Sequence, residues 1–251
     1  MPELPEIETV KLQLQRVLKG LVLDRIEVLK EKSVQGNWDL VKGKKVLEVR
    51  RRGKVLIIDL GESITPLGSP LKLRGETKEE DGISVAIHFK MPGQLVFEKH
   101  EKHEGGSLKR SDPRSTSGAS SPRQTRGRVE SDLKDDLYLD RVVGGHPTVD
   151  FFSHLPSKHT RAIFHFSDGS VMYYNDQRMF GWIKIGKREE IEKMKFLESL
   201  GPEPFELSVN QLTGLVSKSR RPIKLVLMDQ TVVSGVGNIY ANDALWEAKV
   251  D

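Results

Sequence analysis

The sequence predicts an α+β chain: one N-terminal helix, then an antiparallel β-sandwich, then a helical region. Three observations predict it. Apolar residues recur at helical spacing over residues 6–18. Short β-rich runs, several of them alternating, follow one another to about residue 187. From Lys187 onward the texture becomes helical.

Each element has its own signals. Ile7, Val10, Leu14, Val17 and Leu18 share one helix face, Pro5 and Glu6 suit a first turn, and Gly20 follows as a stop. The β-rich runs are LVLDRIEVL, KKVLEVRRRGKVLIIDL, ISVAIHF, GQLVFE, RAIFHFSDGSVMYY and GWIKIG. Ser167-Asp168-Gly169, inside the fifth run, reads as a hairpin turn. Two stretches interrupt the sandwich. Residues 61–82 are turn-rich and charged, and residues 102–128 hold six Ser with only Leu108 and Ala119 apolar. The second stretch cannot bury enough surface to offset its ordering entropy, so it is expected to be disordered. Helices are expected over 189–200, over 208–217 beyond a Gly-Pro-Glu-Pro break, and over 239–248. The division this implies is a β domain at 1–187, with its insert, and a helical domain at 188–251.

Composition excludes several classes. The chain has 251 residues and no cysteine. That rules out a disulfide scaffold, thiolate zinc sites, iron–sulfur ligation and a Cys nucleophile. The net charge is +4, but 102–128 alone carry seven Lys/Arg against two Asp/Glu. The remainder is close to neutral, so local clusters must carry any nucleic-acid argument. No apolar run approaches the roughly 18–20 residues of a membrane span. The first 15 residues lack the apolar core of a signal peptide. The expectation is a soluble protein of cytoplasmic or nucleoid-associated type.

The N-terminus can be read as a reactive group. Pro2 follows the initiator Met, and a small second residue permits Met removal. The exposed secondary amine would have a pKa of about 7.7–8.0 and be partly unprotonated at neutral pH. Such an amine attacks an aldehyde carbon to form an iminium. Glu3 and Glu6 lie beside it, suited to acid–base work and to orienting a hydroxyl. Pro and Glu are equally ordinary first-turn residues, and the terminus alone leaves both readings open.

Further motifs add to it. Met1-Pro2-Glu3-Leu4-Pro5-Glu6-Ile7-Glu8-Thr9-Val10 resembles the opening of the formamidopyrimidine-DNA glycosylase / endonuclease VIII family. Arg52-Gly53-Lys54 before VLIIDL, His88-Phe89-Lys90-Met91-Pro92-Gly93-Gln94-Leu95 and Asn175-Asp176-Gln177-Arg178-Met179-Phe180-Gly181-Trp182 are similar to later segments of it. So are Ile223-Lys224 through Asp229-Gln230 and Gly235-Val236-Gly237-Asn238-Ile239-Tyr240-Ala241. The resemblance runs in order along nearly the whole chain. It implies that the helical region carries a helix-two-turn-helix.

It also implies roles. Pro2 matches the family's nucleophile, Glu3 its acid, Glu6 a substrate-positioning glutamate, and Lys54 a lysine on a β-turn that reaches the damaged nucleotide. Met91, Arg178 and Phe180 match a triad that fills the hole left by an extruded base. Apolar wedges and a bidentate guanidinium suit that task. His88, His159, Arg220 and Asn238 are candidate phosphate contacts, and Lys218, Arg220, Arg221 and Lys224 form a cation cluster with no acid among them. Asn238 opens the last helix, where free amides and its side chain could both meet phosphate.

The chain departs from the family pattern at its C-terminus. The second helix of the helix-two-turn-helix and the four-cysteine zinc ribbon of many members are expected beyond Asp251, so the sequence reads as C-terminally truncated and the motif as incomplete. No cofactor is expected in this chain, and zinc only if a natural C-terminus is missing. The resemblance implies a monomeric base-excision-repair DNA glycosylase with abasic-site lyase activity. It would act on damaged double-stranded DNA and favour oxidised purines such as formamidopyrimidines and 8-oxoguanine. The alternatives are an oxidised-pyrimidine (endonuclease VIII-like) glycosylase and a non-catalytic lesion binder. A basic RNA-binding protein, resting only on the Arg/Ser insert, is a third.

Overall fold

A computed structural model describes residues 2–62, 82–91, 93–100, 141–145 and 155–250. Most of the 61–82 stretch and all of the 102–128 insert lie outside the described residues.

Helix α1 (Leu4–Leu18) buries Leu4, Ile7, Val10, Leu14 and Leu18, the stripe that helical spacing requires. Its entry is fixed by Glu6, whose carboxylate accepts the Glu3 N–H at 2.9 Å, as in a capping box.

Among the described residues ten strands follow: β1 (Val22–Val28), β2 (Val34–Gly36), β3 (Lys44–Arg52), β4 (Val55–Gly61), β5 (Ile83–His88), β6 (Gln94–Glu98), β7 (Arg141–Gly145), β8 (Thr160–Phe166), β9 (Val171–Asn175) and β10 (Trp182–Lys187). They form one hydrogen-bonded sheet in the order β2-β10-β5-β4-β3-β1-β8-β9-β6-β7. The hairpin at 167–169 joins β8 to β9, with Gly169 at φ +91°. The expected antiparallel sandwich needs one amendment, because β2 runs parallel to β10. Gly36 makes that edge possible: its φ is +99°, and a Cβ there would strike the Ile185 carbonyl.

Every strand sends side chains into one core. It runs from Val34 and Ile183 at one edge, through Leu56, Ile87 and Phe164, to Leu95, Phe97 and, partly buried, Val142 at the other. The sheet thus wraps its inner face around α1, which lies against β3, β4 and β7. Each fully buried aliphatic side chain is worth about 1.5–3 kcal/mol.

The outer face of β4 and β5 holds the helical region. Val55, Ile57 and Ala86 pack there with Ile191, Leu197 and Leu200. Beside them buried Asp59 accepts Ser84 Oγ and bonds Arg50 and Arg188.

Five helices follow the sheet: α2 (Arg188–Glu192), α3 (Lys195–Glu198), α4 (Val209–Val216), α5 (Ile223–Leu227) and α6 (Asn238–Glu247). The single helix expected over 189–200 is two. Met194 is extended, at φ −60° and ψ 125°, and this break lets Ile191 and Leu197 reach the same cluster. Ser208 caps α4 through a reciprocal bond with Gln211.

Candidate active site

The motif residues from 2–6, 54 and 230–240 meet in space. Pro2 and Glu3 are buried at the start of α1. The Glu3 carboxylate accepts the N–H groups of Gly237 at 2.6 Å, Ile239 at 2.8 Å and Tyr240 at 3.3 Å. These donors open α6 and have no partner within the helix. The helix dipole favours an anion there as well. Three of the backbone donors that the sequence offers to phosphate are therefore occupied by Glu3. Asn238 stays exposed at the first position of α6, and its N–H is not among those that Glu3 takes. Glu6 touches both ends of the arrangement: one oxygen accepts the Glu3 N–H, and the other accepts the Tyr240 hydroxyl at 3.0 Å.

Lys54 follows Gly53, which sits at φ +54° in the turn between β3 and β4. It is buried, and its Nζ donates to the Val236 carbonyl at 2.7 Å. Burial pulls its pKa down from 10.5 to about 8; Lys90 adds to that fall, while the Glu3 and Glu6 charges oppose it. A clamp holds the turn from behind. Glu203 accepts the Gly53 N–H at 2.9 Å and the Arg51 guanidinium in bidentate fashion. Arg51 also bonds Glu8 at 2.8 Å and the Gly53 carbonyl at 2.9 Å.

His88 ends β5 and is buried, its ring 5.6 Å from Trp182 and 5.7 Å from Phe196. Burial, then Lys90 and Lys54, hold its pKa down to about 3. It is neutral at physiological pH. Nδ1 accepts the Lys90 N–H at 3.0 Å, which leaves the proton on Nε2. As a candidate phosphate contact, His88 would therefore offer a neutral N–H. Lys54, His88, Lys90, Gln230, Val236 and Gly237 line one cavity of about 170 Å³.

A second group gathers on two loop tips. Met91 is 44% exposed and Phe180 62% exposed, and Arg178 is exposed between them in sequence. Neither apolar residue belongs to the core. Buried Asp176 builds the second tip by accepting the N–H groups of Arg178, Met179 and Gly181 at 3.0, 2.9 and 2.7 Å. A Cβ at Gly181 would collide with the Tyr174 hydroxyl and the His88 and Phe89 carbonyls, so the two loops lie close together where they join β10 and β5. His159 stands at the foot of this loop, its carbonyl accepting the Asp176 N–H at 2.9 Å.

Arg220 is exposed between α4 and α5. Its neighbour Arg221 is bound to Asp229 at 2.7 Å. The four-cation cluster therefore has an acid after all, contributed from beyond α5, and among the described residues it pairs with Arg221 rather than Arg220.

The sequence did not single out Arg51, Asp176, Glu203, Gln230 or Tyr240 for roles, although four of the five lie in or beside its quoted motifs. Their partners are remote in sequence or are backbone groups. A four-cysteine zinc ribbon cannot be built from a chain without cysteine. Among the described residues no group of three His, Cys, Asp or Glu is arranged to hold a metal ion. No described helix is long and apolar enough to cross a membrane.

Residues 1–183 match the formamidopyrimidine-DNA glycosylase N-terminal domain, and residues 200–251 match the formamidopyrimidine-DNA glycosylase H2TH domain. Over its full length the chain is 30% identical to a formamidopyrimidine-DNA glycosylase of Prochlorococcus marinus, covering 70% of that protein. It is 29% identical to one of Nitratidesulfovibrio vulgaris, covering 76% of it. Its fold is that of a Lactococcus lactis Fpg solved with DNA containing an abasic site: TM-score 0.64, 22% identity, all of this chain and 68% of that one. A DNA-repair glycosylase is the class that fold and site define. The chain belongs to the formamidopyrimidine-DNA glycosylase family.

Proposed function

We propose that this enzyme excises oxidised purines and then cleaves the strand as an abasic-site lyase, with Pro2 as nucleophile once Met1 is removed. The observation that carries the reading is that Glu3, next to Pro2, and Lys54 both bond the turn that opens α6, with Lys54 and Gly237 lining one small cavity there. The Pro2 amine attacks C1′ of an extruded nucleotide, and the glycosidic electron pair leaves with the base, which takes up a proton. Ring opening gives an iminium between Pro2 and C1′. Loss of a C2′ proton expels the 3′ phosphate by β-elimination, and δ-elimination expels the 5′ one. Water then releases the amine. Glu3 serves as the acid and Glu6 orients the sugar. Lys54, a buried ammonium titrating near pH 8, binds the flanking phosphate and donates a proton.

Met91, Arg178 and Phe180 fill the vacated stack. Two exposed apolar tips, one of them on the loop braced by Asp176, support this reading. His88, His159, Arg220 and Asn238 contact the duplex, with residues 1–187 forming the catalytic domain and 188–251 the DNA-docking one. The enzyme acts as a monomer and needs no cofactor for these steps.

The test is strand incision on duplexes holding 8-oxoguanine, a formamidopyrimidine, an oxidised pyrimidine or no lesion. The reading expects the purine lesions to be cut fastest, leaving phosphates at both ends of the gap. Faster cutting at the pyrimidine lesion overturns the preference. Binding without incision overturns the enzyme in favour of a lesion binder.

A further inference from the structure

We infer that Gln230 is a positioning residue for Lys54, acting through the Gly235–Gly237 turn. The inference rests on the reading of Lys54 as part of the reaction centre. Gln230 uses both ends of its amide on this turn. Its Oε1 accepts the Gly235 N–H at 3.0 Å, and its Nε2 donates to the Val236 carbonyl at 2.7 Å and to the Met228 carbonyl at 2.8 Å. The Val236 carbonyl is also the acceptor of Lys54 Nζ. One carbonyl thus receives two donors, and Gln230 fixes where it points. The next residue, Gly237, gives its N–H to Glu3. A single turn therefore presents an acceptor to the lysine and a donor to the glutamate. Gly235 suits it, with φ +92° and no room for a Cβ against Leu4. Gln230 also lines the cavity that holds Lys54.

The geometry has a chemical consequence. A hydrogen bond from the ammonium to a fixed carbonyl favours the charged lysine, and a misdirected carbonyl weakens that preference. The charged and titratable groups facing Lys54 are Glu3 and Glu6 from α1, Lys90 beyond β5, and neutral His88 on β5. On the 228–237 segment the neighbouring acid, Asp229, is engaged by Arg221 and Thr231. Gln230 thus brings dipoles and no charge.

Two variants separate positioning from general support. Gln230→Met keeps the volume and removes all three hydrogen bonds. Gln230→Glu keeps an acceptor for Gly235 but sets a carboxylate oxygen against the Val236 carbonyl, and adds a negative charge beside Lys54. The pH–rate profile of base excision from an 8-oxoguanine duplex is measured on the full chain, with thermal melting to confirm folding. In Gln230→Met, kcat is expected to fall about tenfold with KM within twofold, and the alkaline limb near pH 8 to move to lower pH. In Gln230→Glu that limb is expected to move to higher pH. Opposite movement is what a merely structural residue does not produce. Limbs that stay in place, or move together, overturn the inference. The companion variant Lys54→Met tests the underlying reading: if it keeps excision and its alkaline limb, Lys54 is not in the reaction centre, whatever Gln230 does.

Discussion

Lys54 is an ammonium held away from water, and its burial costs the fold stability. Its pKa falls from 10.5 to about 8, a difference on the order of 1–3 kcal/mol against the folded state at neutral pH. The unfolded chain binds that proton more tightly between pH 8 and 10.5, so this residue makes stability rise with pH across that window. Lys54→Met is predicted to abolish excision and still melt at a higher temperature than the parent at pH 7. The gain shrinks as pH approaches 10.5. Melting curves at both pH values check it, and a variant less stable at each of them contradicts it. Glu3 allows a second separation. Gln in its place keeps an acceptor for the α6 amides but has no acid to give. Glu3→Gln is therefore predicted to slow base excision much more than cleavage of a preformed abasic site. Equal losses on the two substrates would count against Glu3 as the acid.

At the scale of elements, the loop at 176–181 and the turn at 235–237 carry the arrangement. Removing the Asp176 carboxylate strands three N–H groups, one of them buried, and Asp176→Ala is predicted to destabilise by about 2–4 kcal/mol. Arg178→Ala on the same loop touches no core and should leave the melting temperature unchanged while weakening discrimination between opposite bases. Denaturation and excision from duplexes with each opposite base read the two effects apart; an Arg178→Ala variant with full preference removes it from the triad. Much of this scale was legible in the sequence. The α1 stripe and the β8–β9 turn follow from local periodicity and turn chemistry. The break at Met194 was not, because it is made by packing against Ile57 and Ala86 on strands far away. Nor was the occupation of the α6 amides by Glu3, which joins residues 234–237 positions apart. Local signals identify a helix start with free donors; only the fold shows what fills them. For Gln230 the residue was visible inside a motif, while its partners are mostly backbone atoms that carry no sequence signature.

The whole molecule is a sheet wrapped on α1 with the helical region fastened to its outer face, and the proposed reaction centre lies on that junction. Residues 102–128 take no part in this account. Their deletion lowers the net charge from +4 to −1. It is predicted to leave melting and excision nearly intact while weakening nonspecific DNA binding at low salt. A large fall in melting temperature would show that the segment is packed. The central claim is that a secondary amine at residue 2 forms the covalent bond to DNA. Borohydride adds hydride to the iminium carbon and fixes the adduct, which mass spectrometry of the digested complex then maps. The account predicts a crosslink at Pro2 in chains that have lost Met1, and none when Met1 or a tag is retained. A crosslink that maps to Lys54 or to another lysine, and never to residue 2, contradicts it.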